Sequence, residues 1–528
     1  MRNLAAALLG LVALAACGGG PAASNSTSSA DSSGGTLVIG MTATNLPGTD
    51  TDMAQSEGGE GIRFVGMQLY DGLTKWDLTH SDRSPALIPG LASSWTHNGD
   101  GSAWTFTMRP NVRFSDGTPW NADAAVFNFD RYLNKSSPYY YPALNSEAGL
   151  LLVGIRSWRK VDDMTFEIDT DGPLSYLPDD LAVLPMGSPT AIKKLGNDGF
   201  AQHPSGTGPF ILQSMVPGQR LVMVRNASYW GGAPRLDKVI LRPMPDAAAR
   251  VAALRAGEVN WIEVPVPDDV PSLRSAGYQV LTNSYSHIWP WVLDMTKKPW
   301  DNVLVRQAAN YAINRQSMVS DLLKGTGAPA YQYAPRDDHG YDPGLNLYRY
   351  DPARARQLLA QAGYPNGFDT TLSFPTSGSG NMIPIPMNEA LQQDLAKVGI
   401  RVKLQPVEWS SMLGDYFNGR IPGGADAINI SLGFVFLSLW NTFFSSTSPV
   451  NVGHLDDPQV DALLAQARSQ LDPALRDKVY TQLNGQLEQD APWLLVVNDL
   501  NPPVLAANVH GFVMTRSWFI DLTRTWVG

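Results

Sequence analysis

The sequence predicts an α/β chain of about three lobes, without tandem repeats. Strand-like and helix-like segments are interspersed along all 528 residues, a length that suits two to four domains. Apolar residues make up 44% of the chain and charged residues 17%, which is an ordinary globular composition. A chain of this size buries sizeable cores without help from disulfides or metals.

The first half of the chain contains the clearest strand signals. Residues 36–41 (TLVIGM) form the first strand candidate. Residues 104–108 (WTFTM) alternate as in a half-buried strand, and the preceding Asp100-Gly101 is a turn signal. A second turn is predicted at 116–119, followed by a helix, because three apolar residues recur at helical spacing: Val126, Phe129 and Leu133.

The second half contains well-marked helices. Three Asp-Pro pairs each place an N-cap residue before a proline at the first helical position: Asp351-Pro352, Asp457-Pro458 and Asp472-Pro473. The first of these helices is expected to stop at Gly363, a C-cap signal. Another helix is predicted over 303–323, with Val305, Ala309, Ile313 and Leu322 on its buried side.

The N-terminus carries the sharpest local signal. Arg2 is followed by an apolar stretch at 4–16 that is too short to span a bilayer and is typical of a signal peptide. The stretch ends in Leu14-Ala15-Ala16-Cys17, which resembles a bacterial lipobox. Cys17 is the only cysteine, and we expect it to receive the lipid. The sequence thus predicts a lipoprotein signal peptide with its lipobox at 1–17.

Residues 18–35 contain no large apolar side chain and are predicted to be a flexible tether. No further run of 18 apolar residues follows, so the chain is expected to meet the membrane only through its lipid anchor. The net charge is −10, and no block of Lys and Arg exists that could follow a phosphate backbone. No nucleic-acid partner is therefore expected.

The motifs of common enzymes are missing from the sequence. There is no G-x-x-x-x-G-K-[ST] loop, no G-x-S-x-G elbow and no H-E-x-x-H helix. The seven histidines are far apart, and no pair has the spacing of metal ligands. We therefore expect neither an enzyme nor a cofactor. A secreted enzyme that acts on cell-wall material remains the remote alternative, because distant residues can converge in a fold.

The segment 91–131 matches a known family. It begins Leu-Ala-Ser-Ser-Trp at 91–95, has an Asp-Gly turn, a Thr-Phe-Thr-Met-Arg strand at 105–109 and Phe-Ser-Asp-Gly-Thr-Pro at 114–119. This order resembles the hallmark region of the peptide/nickel family of solute-binding proteins of bacterial ABC importers. Five further segments resemble that family in the same order: GTGPF at 206–210, RNASYWGG at 225–232, 245–259 ending in Gly-Glu-Val, 305–315 and 350–365.

The resemblance implies a two-lobed periplasmic-binding-protein-like fold with an additional domain and a ligand cleft between the lobes. Carried onto this chain, the first lobe is expected to be discontinuous, at 36–50, 190–285 and 500–528. The additional domain is expected at 51–189, and the second lobe at 286–499. The implied function is extracytoplasmic capture of a small ligand, most readily a peptide, for delivery to the permease subunits in the membrane.

Seven cleft residues are carried over from the resemblance and from their chemistry. Trp289 and Trp291 are two apart, so on an uninterrupted strand both face the same side. Pro290 between them suits a strand edge or end, and one or both rings are expected to face the cleft. The other candidates are Asn45, Tyr139, Trp409, Asp426 and Trp440. For each aromatic residue, packing in the core is the alternative to lining the cleft.

The ligand class stays open at this point. Many peptide-binding relatives pair the peptide's ammonium with an acidic residue in the second lobe, but the matching stretch at 428–444 has no carboxylate. Either Asp426 replaces it, or the ligand has no free amine, because an unpaired buried ammonium is costly. Aromatic clefts also suit sugars, so a saccharide or glycoside is the alternative to a peptide. A nickel chelate is a weaker third option, since no histidines cluster.

Overall fold

The computed structural model describes residues 34–51, 58–336, 338–500 and 502–528. Cys17, the signal segment and all but the last two residues of the predicted tether lie outside the described residues. Within those ranges, no helix combines the length and the apolar character needed to cross a bilayer.

Strands occur along the whole described chain. In chain order they are β1 (Thr36–Met41), β2 (Thr74–Trp76), β3 (Leu87–Pro89), β4 (Ala92–His97), β5 (Ala103–Met108), β6 (Ile155–Asp162), β7 (Thr165–Thr170), β8 (Phe210–Val216), β9 (Arg220–Arg225), β10 (Lys238–Pro243), β11 (Trp261–Ile262), β12 (Gln279–Val280), β13 (His287–Leu293), β14 (Gly327–Pro329), β15 (Phe368–Pro375), β16 (Ile400–Val407), β17 (Ala427–Asn429), β18 (Leu432–Gly433), β19 (Trp493–Asp499), β20 (Val504–Leu505), β21 (Val509–His510) and β22 (Trp526–Val527).

Three larger sheets organise these strands. One seven-stranded sheet has the order β12-β20-β11-β1-β10-β9-β8, and the other has the order β14-β19-β13-β17-β15-β16 with β18 paired to β13. A four-stranded sheet has the order β4-β5-β7-β6. Each sheet takes all its strands from one predicted unit: the first lobe, the second lobe and the additional domain respectively. The residue boundaries of the units stay predictions.

Two connections join the seven-stranded sheets, and they run beside each other. One links β12 to β13 and the other links β19 to β20. The amide of Leu281 donates to the carbonyl of Pro503 at 3.1 Å, and the amide of Asn283 donates to the carbonyl of Leu500 at 3.3 Å. Adjacent paired crossings of this kind let two bodies rotate about one line with few torsions changed.

Helices cover the sheets. Those of six residues or more are Ala122–Leu133, Pro142–Leu151, Pro189–Gln202, Ala247–Arg255, Val270–Ser275, Val303–Ala312, Pro352–Gln361, Pro384–Ala396, Trp409–Phe417, Ser438–Phe444, Pro458–Ser469 and Pro473–Asp490. The three Asp-Pro starts are confirmed. The carboxylates of Asp351, Asp457 and Asp472 each accept a hydrogen bond from a backbone amide in the first turn of the helix.

The helix predicted over 303–323 is broken. Val303–Ala312 is regular, but Ile313 is extended with ψ 135°, and a new turn begins after Asn314. The Asn314 side chain accepts from the amide of Ser317, while its own amide donates to Asp394 at 2.8 Å. The apolar period continues across the break, whereas the Asn314 side chain competes with the helix for backbone partners.

Pro290 lies inside a sheet, whereas its missing backbone donor suggested a strand edge or end. It belongs to β13, which is paired on both sides, with β19 on one side and β17 and β18 on the other. The register of β13 against β19 shifts between Trp289 and Pro290. A bulge tolerates proline inside a sheet because the ladder bond is already interrupted there. The carbonyl of Pro290 accepts from Asn429 Nδ2 at 2.8 Å.

Candidate functional site

A cavity of about 180 Å³ lies where the three predicted units meet. Gly58, Gly59 and Ile62 come from the additional domain, and Trp518 and Phe519 come from the first lobe. The second lobe supplies the remaining lining residues: His287, Ser379, Trp409, Leu413, Tyr416, Phe417, Ile430, Ser431, Leu432, Gly433, Val435, Phe436, Leu439, Thr442 and Phe443. A concave, aromatic-walled site between bodies is a common form of ligand pocket.

Trp409 is held in the wall by its helix start and by a glycine. Glu408 precedes the helix Trp409–Phe417 and accepts from the amides of Ser410 and Ser411 at 3.0 and 2.9 Å. The indole lies against Gly378, where a Cβ atom would overlap the ring and where φ is +104°. Glycine alone meets both conditions, so the flat approach of the ring to the backbone depends on it.

Trp518 lines the cavity from the first lobe, within a cluster of three aromatic rings. Its ring stacks on the imidazole of His287 with centroids 5.3 Å apart and planes 13° apart, and His287 stacks in turn on Tyr285. The guanidinium carbon of Arg63 lies 4.4 Å from the indole centroid. Arg63 is buried and pairs with Glu263 at 2.7 Å, so its charge is compensated outside the cavity.

His287 is a neutral imidazole. Burial, together with the smaller effect of the nearby Arg63 charge, lowers the pKa of His287 to about 3. The hydroxyl of Ser431 lies 3.0 Å from Nε2, while Asp499 Oδ2 is 3.8 Å from Nδ1. Tyr285 donates its hydroxyl to that same carboxylate oxygen at 2.6 Å. The imidazole of His287 therefore brings no charge to the wall at neutral pH.

Aromatic side chains of the two lobes meet at the cavity, around the lining residues Phe436 and Phe519. The ring centroids of Phe436, in the second lobe, and Trp76 are 5.6 Å apart. Trp76 also stacks on Phe519, with ring centroids 5.1 Å apart. Phe436 and Phe519 are themselves 5.7 Å apart. These contacts join parts of the chain that lie on different sides of the two connections, so they are present only when those sides are close together.

The indole nitrogens of the cavity wall differ from those of the core. Trp409 Nε1 and Trp518 Nε1 are buried, and neither has a hydrogen-bond acceptor within the described part of the chain. Trp291 Nε1 donates to Asn388 Oδ1 at 2.8 Å, and Trp289 Nε1 donates to the carbonyl of Asn381 at 3.2 Å. A buried donor without a partner is unusual in a folded protein and calls for a reason.

Trp289 and Trp291 lie in the core instead of the cavity wall. Both rings are 0% exposed and pack with Leu293 in the apolar cluster beneath the helices of the second lobe, whereas Ile288 and Val292 face the opposite cluster. The two tryptophans thus share one side of β13, as their spacing predicted. That side is covered by helices, which the sequence pattern alone did not reveal.

Of the remaining candidates, only Trp409 lines the cavity. Asp426 Oδ2 accepts from the amide and hydroxyl of Thr371 at 2.8 and 2.9 Å, next to β15. Trp440 is buried against Phe434 with centroids 4.3 Å apart. Tyr139 packs on Phe127, and Asn45 is exposed after β1. The structure therefore does not bring the seven residues into one site.

Several wall residues had no signal in the sequence. Trp518 and Phe519 occur in a short C-terminal segment without periodicity, and they lie more than 200 positions from His287. His287 occupies the first position of β13, where it meets the cavity. Phe436 belongs to the stretch 428–444, which contains no carboxylate, and this lack of charge is visible in the sequence.

A second cavity, of about 140 Å³, lies beside β2. Its charged side chains are Asp71 and Lys75, which pair at 3.2 Å, together with Asp77 and Asp521. Lys75 also donates to the hydroxyl of Tyr229 at 2.7 Å, and Asp71 accepts from Tyr229 and from Trp230 Nε1. This network is satisfied by the protein itself, so we place the functional site in the first cavity.

In the parts of the chain that the structure describes, no group of three His, Cys, Asp or Glu residues is arranged to hold a metal ion.

Comparison with known proteins shows sequence similarity over most of this chain. Residues 86–452 match the family model described as the middle part of the bacterial extracellular solute-binding proteins, family 5. The chain is 31% identical to the glutathione-binding protein GsiB of Shigella flexneri over 490 residues, which are 90% of this chain and 91% of that protein. It is 29% identical to heme-binding protein A of Haemophilus influenzae over 481 residues, 87% and 86% of the two chains.

Solved structures give the same result for the fold. The periplasmic binding protein DppA of Helicobacter pylori, solved with the peptide STSA, superposes with a TM-score of 0.83 at 26% identity. The superposition covers 94% of this chain and 99% of that one. The two-lobed binding-protein fold expected from the sequence is therefore confirmed.

Proposed function

Because this chain belongs to family 5 of the bacterial extracellular solute-binding proteins, we propose that its cavity captures a small peptide-like ligand for an ABC importer. The observation that carries the proposal is the aromatic-walled cavity to which all three predicted units contribute. Relatives of this chain are a glutathione-binding protein and a protein solved with the peptide STSA, which favours peptide-like molecules.

Ligand capture is proposed to proceed by closure of the lobes. The two adjacent connections between the seven-stranded sheets supply the axis, and Phe436 and Phe519 lie on opposite sides of it. A ligand between these walls is contacted from both sides only in the closed form, so its differential contacts favour closure. The closed, loaded form is then what the permease subunits receive.

Cys17 is proposed to anchor the protein to the outer face of the cell membrane. The support is the lipobox-like Leu14-Ala15-Ala16-Cys17 after a short apolar stretch, followed by a tether without apolar side chains. Eighteen tether residues reach roughly 25 Å as a flexible chain. That distance allows the lobes to approach a permease while the lipid stays in the bilayer.

A saccharide is the second candidate ligand, because Trp409, Phe436 and Trp518 offer ring faces on which a sugar can stack. A sugar also brings many hydroxyls, whereas the side-chain hydroxyls of the described wall belong only to Ser379, Ser431, Thr442 and Tyr416. This imbalance favours the peptide-like ligand. A cell-wall-acting enzyme would in addition need a pair of carboxylates, and none of the described lining residues is acidic.

Calorimetry with a ligand panel tests the proposal. The purified full-length chain is titrated with free dipeptides, terminally blocked dipeptides and short oligosaccharides, and each bound ligand is recovered for mass spectrometry. We expect binding of a peptide form with the ligand recovered intact. Binding of oligosaccharides alone would refute the peptide class, and a cleaved or modified ligand would refute a purely binding function.

A further inference from the structure

The described residues of the cavity wall provide no charged partner for a ligand. Among its described residues none is Asp, Glu, Lys or Arg, and the imidazole of His287 is neutral. The buried guanidinium of Arg63, which lies 4.4 Å from the Trp518 ring centroid, pairs with Glu263 at 2.7 Å. An ammonium or a carboxylate placed here would lose its water without gaining a charged partner from the described wall residues, which disfavours it strongly.

The wall instead provides hydrogen-bond donors. Trp409 Nε1 and Trp518 Nε1 lack acceptors among the described residues, although both indoles are at least nine-tenths buried. The two indoles lie beside the consecutive residues Gly58 and Gly59. Both nitrogens are covered in the present arrangement, so a ligand acceptor can reach them only when the lobes part and close again. An uncharged oxygen of a ligand satisfies donors that otherwise remain unpaired.

Resting on the proposed function, we infer that the ligand enters this cavity with an uncharged, largely apolar segment that carries carbonyl oxygens. The class that fits is a peptide whose ends are blocked, by acylation and amidation or by cyclisation. Its apolar side chains contact Leu413, Phe436 and Leu439, and its carbonyls accept from the two indoles. A free zwitterionic peptide of the same sequence is discriminated against by its charged ends.

The test compares N-acetyl-Phe-Leu-amide with free Phe-Leu by calorimetry on the full-length chain. We expect the blocked dipeptide to bind at least about tenfold more tightly, because the free one leaves two charges without partners. Equal or tighter binding of free Phe-Leu overturns this inference and leaves the proposed function standing. If neither form binds while an oligosaccharide does, the inference and the proposed peptide class both fail.

Two indole substitutions test the donors. Trp409→Phe and Trp518→Phe keep an aromatic ring and remove the N–H, and each is expected to weaken the blocked dipeptide by about three- to tenfold. Trp291→Phe makes the same change in the core and serves as the control, with affinity within about twofold of wild type. Unchanged affinity in both wall variants contradicts the role of the indoles.

A gain of function tests the missing charge. Val435 lines the cavity and is half-buried, within the stretch that lacks carboxylates. Val435→Asp supplies a counter-charge for an ammonium, and Val435→Asn is the uncharged control of the same shape. We expect the Asp variant, but not the Asn variant, to tighten free Phe-Leu by about tenfold. Equal effects of the two variants, or no effect of either, contradict an electrostatic reason for the preference.

Discussion

Replacing Trp291 by Phe distinguishes a core residue from a cavity residue. We expect Trp291→Phe to lower the free energy of unfolding and Trp409→Phe to lower ligand affinity. In the core, Trp291 Nε1 donates to Asn388 Oδ1, and Asn388 Nδ2 donates to Asn429 Oδ1 at 3.0 Å. Asn429 Nδ2 then bonds the carbonyl of Pro290 at the bulge. Trp291→Phe therefore removes the first donor of a buried chain that ties a helix to two strands.

The expected loss of stability follows from two contributions. Leaving the buried Asn388 oxygen without this donor costs about 1–3 kcal/mol. Shrinking a fully buried indole to a phenyl ring leaves a void that costs about 1 kcal/mol more. We therefore expect Trp291→Phe to lower the free energy of unfolding by about 2–4 kcal/mol, with affinity for the blocked dipeptide unchanged in the folded protein.

Urea unfolding followed by fluorescence and circular dichroism measures this change, with Trp409→Phe as the matched control. Trp409→Phe removes a donor that has no acceptor among the described residues, so its unfolding free energy is expected within about 1 kcal/mol of wild type. A Trp291→Phe variant that is as stable as wild type but binds weakly would refute the assignment of this ring to the core.

Three further predictions concern other parts of the chain. Cys17→Ala is expected to move the protein from the membrane to the soluble fraction with its melting temperature unchanged, and full retention in membranes contradicts the anchor. For His287, the folded pKa of about 3 lies below the unfolded value, so stability is lost as the pH falls below about 6.5. The loss from this residue between pH 7 and pH 5 is about 2 kcal/mol, and His287→Gln should remove that part of the slope in unfolding measured at both pH values. Burial raises the pKa of Glu488, whose two carboxylate oxygens have no hydrogen-bond partner among the described residues. Its folded form holds a proton that the unfolded chain releases, so stability falls as the pH rises above about 4.5, and Glu488→Gln should become more stable relative to wild type over that range; an identical pH dependence of the two proteins contradicts the raised pKa.

Sequence patterns predicted those features that depend on neighbouring residues. The strand at 36–41 and the helix after 121 are where their local sequences placed them, because a strand or helix buries its apolar face locally. The prediction of one continuous helix over 303–323 was wrong for a local reason as well, because the Asn314 side chain accepts a hydrogen bond from a backbone amide. Periodicity detects the buried face and misses that competition.

The site was predicted less completely than the fold. Spacing showed that Trp289 and Trp291 share a side of their strand, but which side faces helices depends on elements more than 90 residues away, such as the one containing Asn388. Trp518 reaches the cavity from the C-terminal segment, which no local pattern connects to His287. The lack of a carboxylate at 428–444 could be read from the sequence, because it depends only on which residues are present and not on how they fold.

Hinge closure on a ligand is most directly tested by small-angle scattering. The radius of gyration of the full-length chain is measured without ligand and with saturating N-acetyl-Phe-Leu-amide, after calorimetry has shown that the peptide is bound. The adjacent connections between the two seven-stranded sheets predict a smaller radius in the bound state. An unchanged radius at confirmed saturation contradicts capture by closure of the lobes.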